Sequence, residues 1–322
     1  MIIEKEVLII GAGPIGIACA LECKKRALDY VVVEKGPLTN SLYQYPLNMT
    51  FFSTSEKLEI GGIPFISNQP KPNRDEALEY YRRVVTSNNL NINLYEEVIA
   101  VEKVENYFMV TSEKNRYRVK NVIVGTGFYD IPKKLDIPGE ELAKVTHYFK
   151  EAHPYVLQKV IVVGASNSAV DAALEIWRKG GEVTMVVRGA TIGDRVKYWV
   201  KPDIENRIKE GSIKAFFNAQ LSEIKENEVI IKTSEGTATI PNDFVLALTG
   251  YRPDFDFLEK MGVRLTQDAN RFPEYDEKTM ETNVSGLYLA GVICGGMETH
   301  KWFIENSRVH ADIIVKHISD NL

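Results

Sequence analysis

Residues 6–16 read Glu6-Val7-Leu8-Ile9-Ile10-Gly11-Ala12-Gly13-Pro14-Ile15-Gly16. Four apolar residues in a row predict a strand buried on both faces, as parallel sheets show. The G-x-G-x-x-G that follows has a specific physical use when a helix comes next. Gly11 permits a tight turn, Gly13 leaves a pyrophosphate room against the backbone, and Gly16 lets helix and strand pack closely. A helical pattern over residues 17–27 supplies that helix, whose first N–H groups attract phosphate. Tyr30-Val31-Val32-Val33 predicts a second strand ending at Glu34, an acceptor for ribose hydroxyls at close to the usual spacing of about 20 residues. Strand, turn, helix and acidic strand end together predict a dinucleotide site.

The unit recurs with changes. Lys159-Val160-Ile161-Val162-Val163 predicts a strand, Gly164-Ala165-Ser166-Asn167-Ser168-Ala169 a turn, and a helix runs on through Trp177. Ser166 crowds the place of the second glycine, although its hydroxyl can donate to a phosphate. Ala169 is a tolerated third residue. A strand over residues 182–187 ends at Arg188, where an NAD site carries an acid. A guanidinium there can grip a 2′-phosphate by paired hydrogen bonds, and Arg195 and Lys197 follow closely. This turn favours NADPH. Two dinucleotides in one chain point to hydride passing from nicotinamide to flavin. The expected fold class is α/β with two Rossmann-like dinucleotide-binding domains.

Length agrees, because 322 residues at about 150 per domain allow two domains. A hydrophobic fraction of 44% and a charged fraction of 26% are those of a globular chain. A net charge of −5 argues against a surface that grips nucleic acid. Residues 7–21 are all apolar, Gly or Pro and imitate a secretion signal. The segment before them is Glu4-Lys5-Glu6, and the run is shorter than the roughly 20 residues of a membrane span. The expectation is a cytoplasmic protein with no membrane and no nucleic-acid partner. Three cysteines are too few for a disulfide framework and suit a reducing compartment. No metal site is expected.

The whole chain resembles flavoproteins of the thioredoxin reductase type. Val122-Ile123-Val124-Gly125-Thr126-Gly127 is similar to that family's Ala-Thr-Gly crossover, with Gly125 for Ala, and Ile137-Pro138-Gly139-Glu140 to the segment after it. Leu248-Thr249-Gly250-Tyr251-Arg252-Pro253-Asp254 resembles the return between domains, and residues 282–291 (TNVSGLYLAG) the C-terminal FAD motif. Residues 45–65, His147-Tyr148-Phe149-Lys150-Glu151 and Phe303-Ile304-Glu305-Asn306 are similar to the bacillithiol disulfide reductase-like subgroup. The resemblance implies FAD held by Gly11, Gly13, Pro14, Ile15, Gly16, Glu34, Lys35, Val98, Thr126, Gly127, Gly291, Val292, Phe303 and Ile304. It implies NADPH held by Gly164, Ser166, Asn167, Ser168, Arg188, Lys197 and Gly250. A discontinuous FAD domain, residues 1–130 plus 251–322, would carry an inserted NADPH domain, residues 131–250. A homo-oligomer is expected.

The resemblance implies a cytoplasmic NADPH enzyme reducing a low-molecular-weight disulfide, and two departures bear on that. Val292 stands where the FAD motif normally continues with the aspartate that binds the ribityl chain. Ile15 stands where members often carry a cysteine. Thiol–disulfide exchange needs an attacking thiolate. Cys19 and Cys23 share one helical face and read as packing. Cys294, in a Gly-rich turn after the FAD motif, is the candidate thiol. His147 and His153 read as linker or interface residues. His300 and Lys301 precede a helix predicted from Trp302, whose N-terminus would stabilise an anionic reduced flavin, and Lys301 is a candidate catalytic cation. Electron transfer to a ferredoxin or flavodoxin partner and flavin monooxygenation remain open as second half-reactions.

Overall fold

The computed structural model describes residues 2–322, and the chain divides into two compact units. One comprises Met1–Tyr45, Met49–Ile131 and Tyr251–Leu322. The other comprises Pro132–Gly250 together with Pro46–Asn48, a short return for which the sequence carries no signal.

In the first unit the strand Ile2–Ile10 lies inside a seven-stranded sheet. Tyr30–Val33 and then Ile92–Asn93 run parallel on one side of it, and Arg116–Val124 runs parallel on the other. Val7, Leu8 and Ile9 are completely buried, as a strand covered on both faces must be. Arg116–Val124 has two further partners. Its first half takes Tyr107–Ser112 antiparallel, which in turn pairs with Val98–Val104. Its second half takes Leu287–Leu289 parallel. The helix Pro14–Lys25 starts three residues before the pattern read from the sequence. Pro14 explains this, because a first-turn proline lacks an N–H that no partner needs there.

The second unit is built on five parallel strands in the order Lys214–Phe216, Glu182–Val186, Lys159–Val163, Phe244–Ala247, Val145–Thr146. The helix Asn167–Arg178 buries its small and branched face, Ala169, Val170, Ala173 and Leu174, in the same cluster as Val160 and Val162. An antiparallel meander, Gln220–Ile224, Glu228–Thr233 and Gly236–Pro241, puts Leu221, Val229 and Ile231 into the cluster of Ile161, Val186 and Val245. Both units thus carry the strand–turn–helix–strand core of a Rossmann-like fold.

One helix differs from expectation. In place of a single helix from Trp302, there is a short helix Ile304–Ser307 and then His310–Asp320. Phe303 sits extended at the cap and donates its backbone N–H to Asn306 Oδ1 at 2.6 Å, so the helix cannot begin earlier. Among the described residues no helix is long and apolar enough to cross a membrane.

The turn makes a testable contrast. A Cβ at Gly16 would land on the carbonyl of Gly11, whereas one at Gly13 would meet nothing within 4 Å. Gly16→Ala is expected to destabilise the first unit by about 1–3 kcal/mol through overpacking. Gly13→Ala should leave the thermal midpoint of the apoprotein nearly unchanged and weaken only nucleotide binding. Paired melting curves with and without nucleotide check both.

Candidate dinucleotide and redox site

Three glycine-bearing segments of the first unit converge. A Cβ on Gly11 would lie 2.7 Å from the Gly125 carbonyl oxygen, one on Gly291 3.3 Å from Ile15 Cγ1, and one on Gly127 4.0 Å from Val292 Cγ1. Glu34 closes the arrangement. Its Oε2 accepts from the Ala12 N–H at 2.8 Å and its Oε1 from the Gly36 N–H at 2.9 Å. Burial pushes this carboxyl up, and the N–H groups of Gly36 and Ala12 pull against that shift. Each oxygen keeps lone-pair capacity for a hydroxyl. Thr126 Oγ1 is buried with no partner, which a polar ligand group would satisfy. Open space at Gly13, an orphaned hydroxyl and a carboxylate at the strand end fit a flavin dinucleotide.

The other expected contacts fare unevenly. Lys35 is paired with Asp130 at 2.8 Å. Burial works against its charge, but Asp130 prevails and its pKa is raised. That ammonium is therefore already engaged. Val98 opens its strand and lines a cavity of about 370 Å³ with Glu97, Ile99 and Phe257. Glu96 carries no signal in the sequence, yet its buried Oε1 accepts from Tyr117 at 2.7 Å and from Asn115 at 3.1 Å. Its own N–H donates to the Glu34 carbonyl at 2.8 Å, and this pins the chain just before Val98.

His310 is also missed by sequence reasoning. It is 2% exposed, and its Nδ1 accepts the Gly291 N–H at 3.2 Å. That bond requires the neutral tautomer with the proton on Nε2. Burial pushes its pKa down to about 4. The ring meets Trp302 edge-on at 4.6 Å, so the helix His310–Asp320 is tied to the Gly291 turn. The only sequence signal is a histidine on the apolar face of Ala311, Ile314, Val315 and Ile318. Lys301 is exposed, with its ammonium 5.5 Å from the Trp302 ring centre. Phe303 is half-exposed and Ile304 partly buried.

Cys19, Cys23 and Cys294 are all free and buried. Burial pushes all three thiols up, Cys23 to about 12. For Cys19 and Cys23 this is the packing role read from the sequence. For Cys294 it is a correction: a reactive thiol needs exposure and a stabilised thiolate, and here it has neither.

In the second unit Gly164 has a φ of +133°, and a Cβ there would lie 2.5 Å from the Leu248 carbonyl oxygen. Ser166 is the N-cap residue of the helix Asn167–Arg178 but makes no capping bond, so its exposed hydroxyl faces outward with Ser168. Asn167 is engaged at both side-chain ends, donating to the Arg195 carbonyl at 3.1 Å and accepting the Lys197 N–H at 2.8 Å. It therefore secures the loop beyond Arg188 rather than offering its amide to a ligand. Lys197 is a second correction, because the residue is only 8% exposed and its ammonium is bound to Asp171 Oδ2 at 2.7 Å. Arg188 is exposed at the strand end and forms no ion pair among the described residues. His147 lies 3.4 Å from Glu140, whose carboxylate accepts the N–H groups of Leu135 and Asp136.

Residues 8–291 match the family described as pyridine nucleotide-disulphide oxidoreductase. The bacilliredoxin reductase Bdr of Bacillus subtilis (strain 168) is 45% identical over 319 residues, 98% of each chain. The solved bacillithiol disulfide reductase Bdr (YpdA) from Staphylococcus aureus superposes with a TM-score of 0.97 at 40% identity, covering 99% of both chains. The same enzyme from Bacillus cereus gives 0.96 at 42%, covering 99% of this chain and 100% of that one.

His310 carries a pH signature. Its folded pKa of about 4 lies below the ordinary value of 6.5. The unfolded chain therefore binds the extra proton first, and stability is fully present above pH about 6.5 and lost as pH falls through about 4. His310→Gln, which keeps an acceptor for Gly291 without titrating, is expected to flatten the decline of the thermal midpoint across that window. An unaltered slope would contradict the assignment.

Proposed function

Because the chain belongs to the pyridine nucleotide-disulphide oxidoreductase family, whose members use FAD and NAD(P)H, we propose that it is an NADPH-dependent reductase of a low-molecular-weight disulfide of the bacillithiol type. It is an enzyme, and its fold is of the thioredoxin reductase type. The observation that carries the choice of nucleotides is the asymmetry of the two turns. One strand ends in a buried carboxylate, Glu34, suited to ribose hydroxyls, and its counterpart ends in an exposed guanidinium, Arg188, suited to a 2′-phosphate. A flavin bound at the first turn would supply the redox chemistry between nicotinamide and disulfide, and the residues of the two turns would hold and orient the nucleotides.

The protein's own part is to bind and orient. The first turn offers phosphate the open space at Gly13 and the N–H groups at the start of Pro14–Lys25. Glu34 holds the turn to the strand end while keeping lone pairs for the ribose. Thr126 Oγ1 presents a buried donor, and His310 fixes the Gly291–Val292 backbone that must serve where an aspartate side chain is missing. None of the three thiols is exposed, which supports a reaction in which they take no direct part and a bound flavin would supply the electrons. Three unpaired thiols also suit a reducing cytoplasm.

Anaerobic addition of NADPH is expected to bleach the flavin absorption band, and persistence of that band would refute a reductase. With bacillithiol disulfide, ferredoxin and oxygen offered side by side, the disulfide should give the fastest NADPH oxidation. Cys294→Ser should retain most of the activity, and a loss above about 100-fold would restore a thiol role. Arg188→Ala should raise KM for NADPH about tenfold and leave that for NADH nearly unchanged, the size of one charge-assisted contact. Equal effects on both would overturn the 2′-phosphate assignment.

A further inference from the structure

Lys133 is a cation without a carboxylate. It lies just inside the second unit, half-buried, and forms no ion pair among the described residues. Its backbone is held to the end of the strand Phe244–Ala247 from both sides. The Lys133 N–H donates to the Gly250 carbonyl at 2.9 Å, and the Thr249 hydroxyl donates to the Lys133 carbonyl at 2.5 Å. The side chain then runs over Gly250, where an added Cβ would stand 4.0 Å from Lys133 Cδ. Gly250 has a φ of +95°, so a glycine suits both the backbone and this passage.

Strand order gives the direction of that side chain its meaning. Phe244–Ala247 and Glu182–Val186 flank Lys159–Val163 on opposite sides. Arg188 follows the far strand, and Lys133 is anchored beyond the near one. The Gly164–Ser166 turn, with its outward hydroxyl and helix N-terminus, lies between them. Burial lowers the pKa of Lys133, and the charge of Arg188 lowers it further, so the ammonium lies within the field of that guanidinium. Two like charges placed on either side of one glycine turn, neither in an ion pair among the described residues, are relieved by an anion bound there.

We propose that Lys133 is a ligand of the dinucleotide pyrophosphate, reaching over Gly250 to the turn between itself and Arg188. This rests on the reading of the second unit as the NADPH site and deepens it. It divides labour between the two cations. Arg188 reads the 2′-phosphate that only NADPH carries, and Lys133 neutralises the bridge that NADPH and NADH share. It also supplies an anchor for a turn in which Ser166 has replaced the close-approach glycine.

The test is equilibrium binding of NADP⁺ and NAD⁺ to the FAD-loaded protein. Lys133→Gln is expected to weaken both about tenfold, Lys133→Arg to restore most of the loss, and the thermal midpoint without nucleotide to stay unchanged. The weakening should also lower the salt dependence of binding for both nucleotides. A loss confined to NADP⁺ would move Lys133 to the 2′-phosphate and overturn the proposal, as would unchanged binding or a Lys133→Arg variant that binds no better than Lys133→Gln. A wild-type protein that binds neither nucleotide would instead overturn the underlying NADPH reading, so the two failures are told apart.

Discussion

Backbone meets backbone at the first glycine turn, and much of the first unit depends on that closeness. The carbonyl of Gly125 stands where a side chain on Gly11 would be, and the carbonyl of Gly11 stands where one on Gly16 would be. Such contacts bring the first, crossover and C-terminal segments within reach of one ligand, although they come from distant parts of the chain. The Glu34 carboxylate then fastens the turn through the Ala12 and Gly36 N–H groups. A buried carboxylate is costly unless its oxygens are bonded, and here the same bonds that stabilise the charge also shape the site.

The cysteines illustrate how burial decides chemistry. A thiol becomes a nucleophile only where its thiolate is stabilised, and desolvation does the opposite. All three cysteines of this chain lie in the apolar core, and Ile15 of the first turn packs against the Gly291 backbone. The core of this unit is therefore built to be inert around its cofactor.

The Gly-x-Gly-x-x-Gly segment is legible because glycine, strand and helix each leave a local imprint. Residues 7–10 show an unbroken apolar run, and Arg188 shows its sign. What stays hidden are partnerships between distant residues. Nothing in the sequence around Lys197 tells that Asp171 holds its ammonium, or that Asn167 turns its amide toward the Arg195–Lys197 loop. His310 reads as one more residue on a helical face until the fold brings Gly291 beneath its ring. Lys133 carries no signal in the sequence, and only the strand order places it beside the second glycine turn. The sequence pattern starts the helix too early, at Trp302, because the cap is set by the Asn306 side chain reaching back to the Phe303 N–H, and Phe303 is not a familiar N-cap residue.

The double pairing of Arg116–Val124 has a consequence for how the protein is made. One half of that strand is matched by its neighbour in sequence, and the other half waits for Leu287–Leu289. On the ribosome, the second unit is complete once residue 250 has emerged, while the first unit still lacks a strand and the helix His310–Asp320. The order of folding is thus the reverse of the order of synthesis: the unit begun first closes last. Until it closes, the edge of Arg116–Val124 is an unpaired strand beside a hydrophobic core, the surface a nascent chain most needs to have guarded.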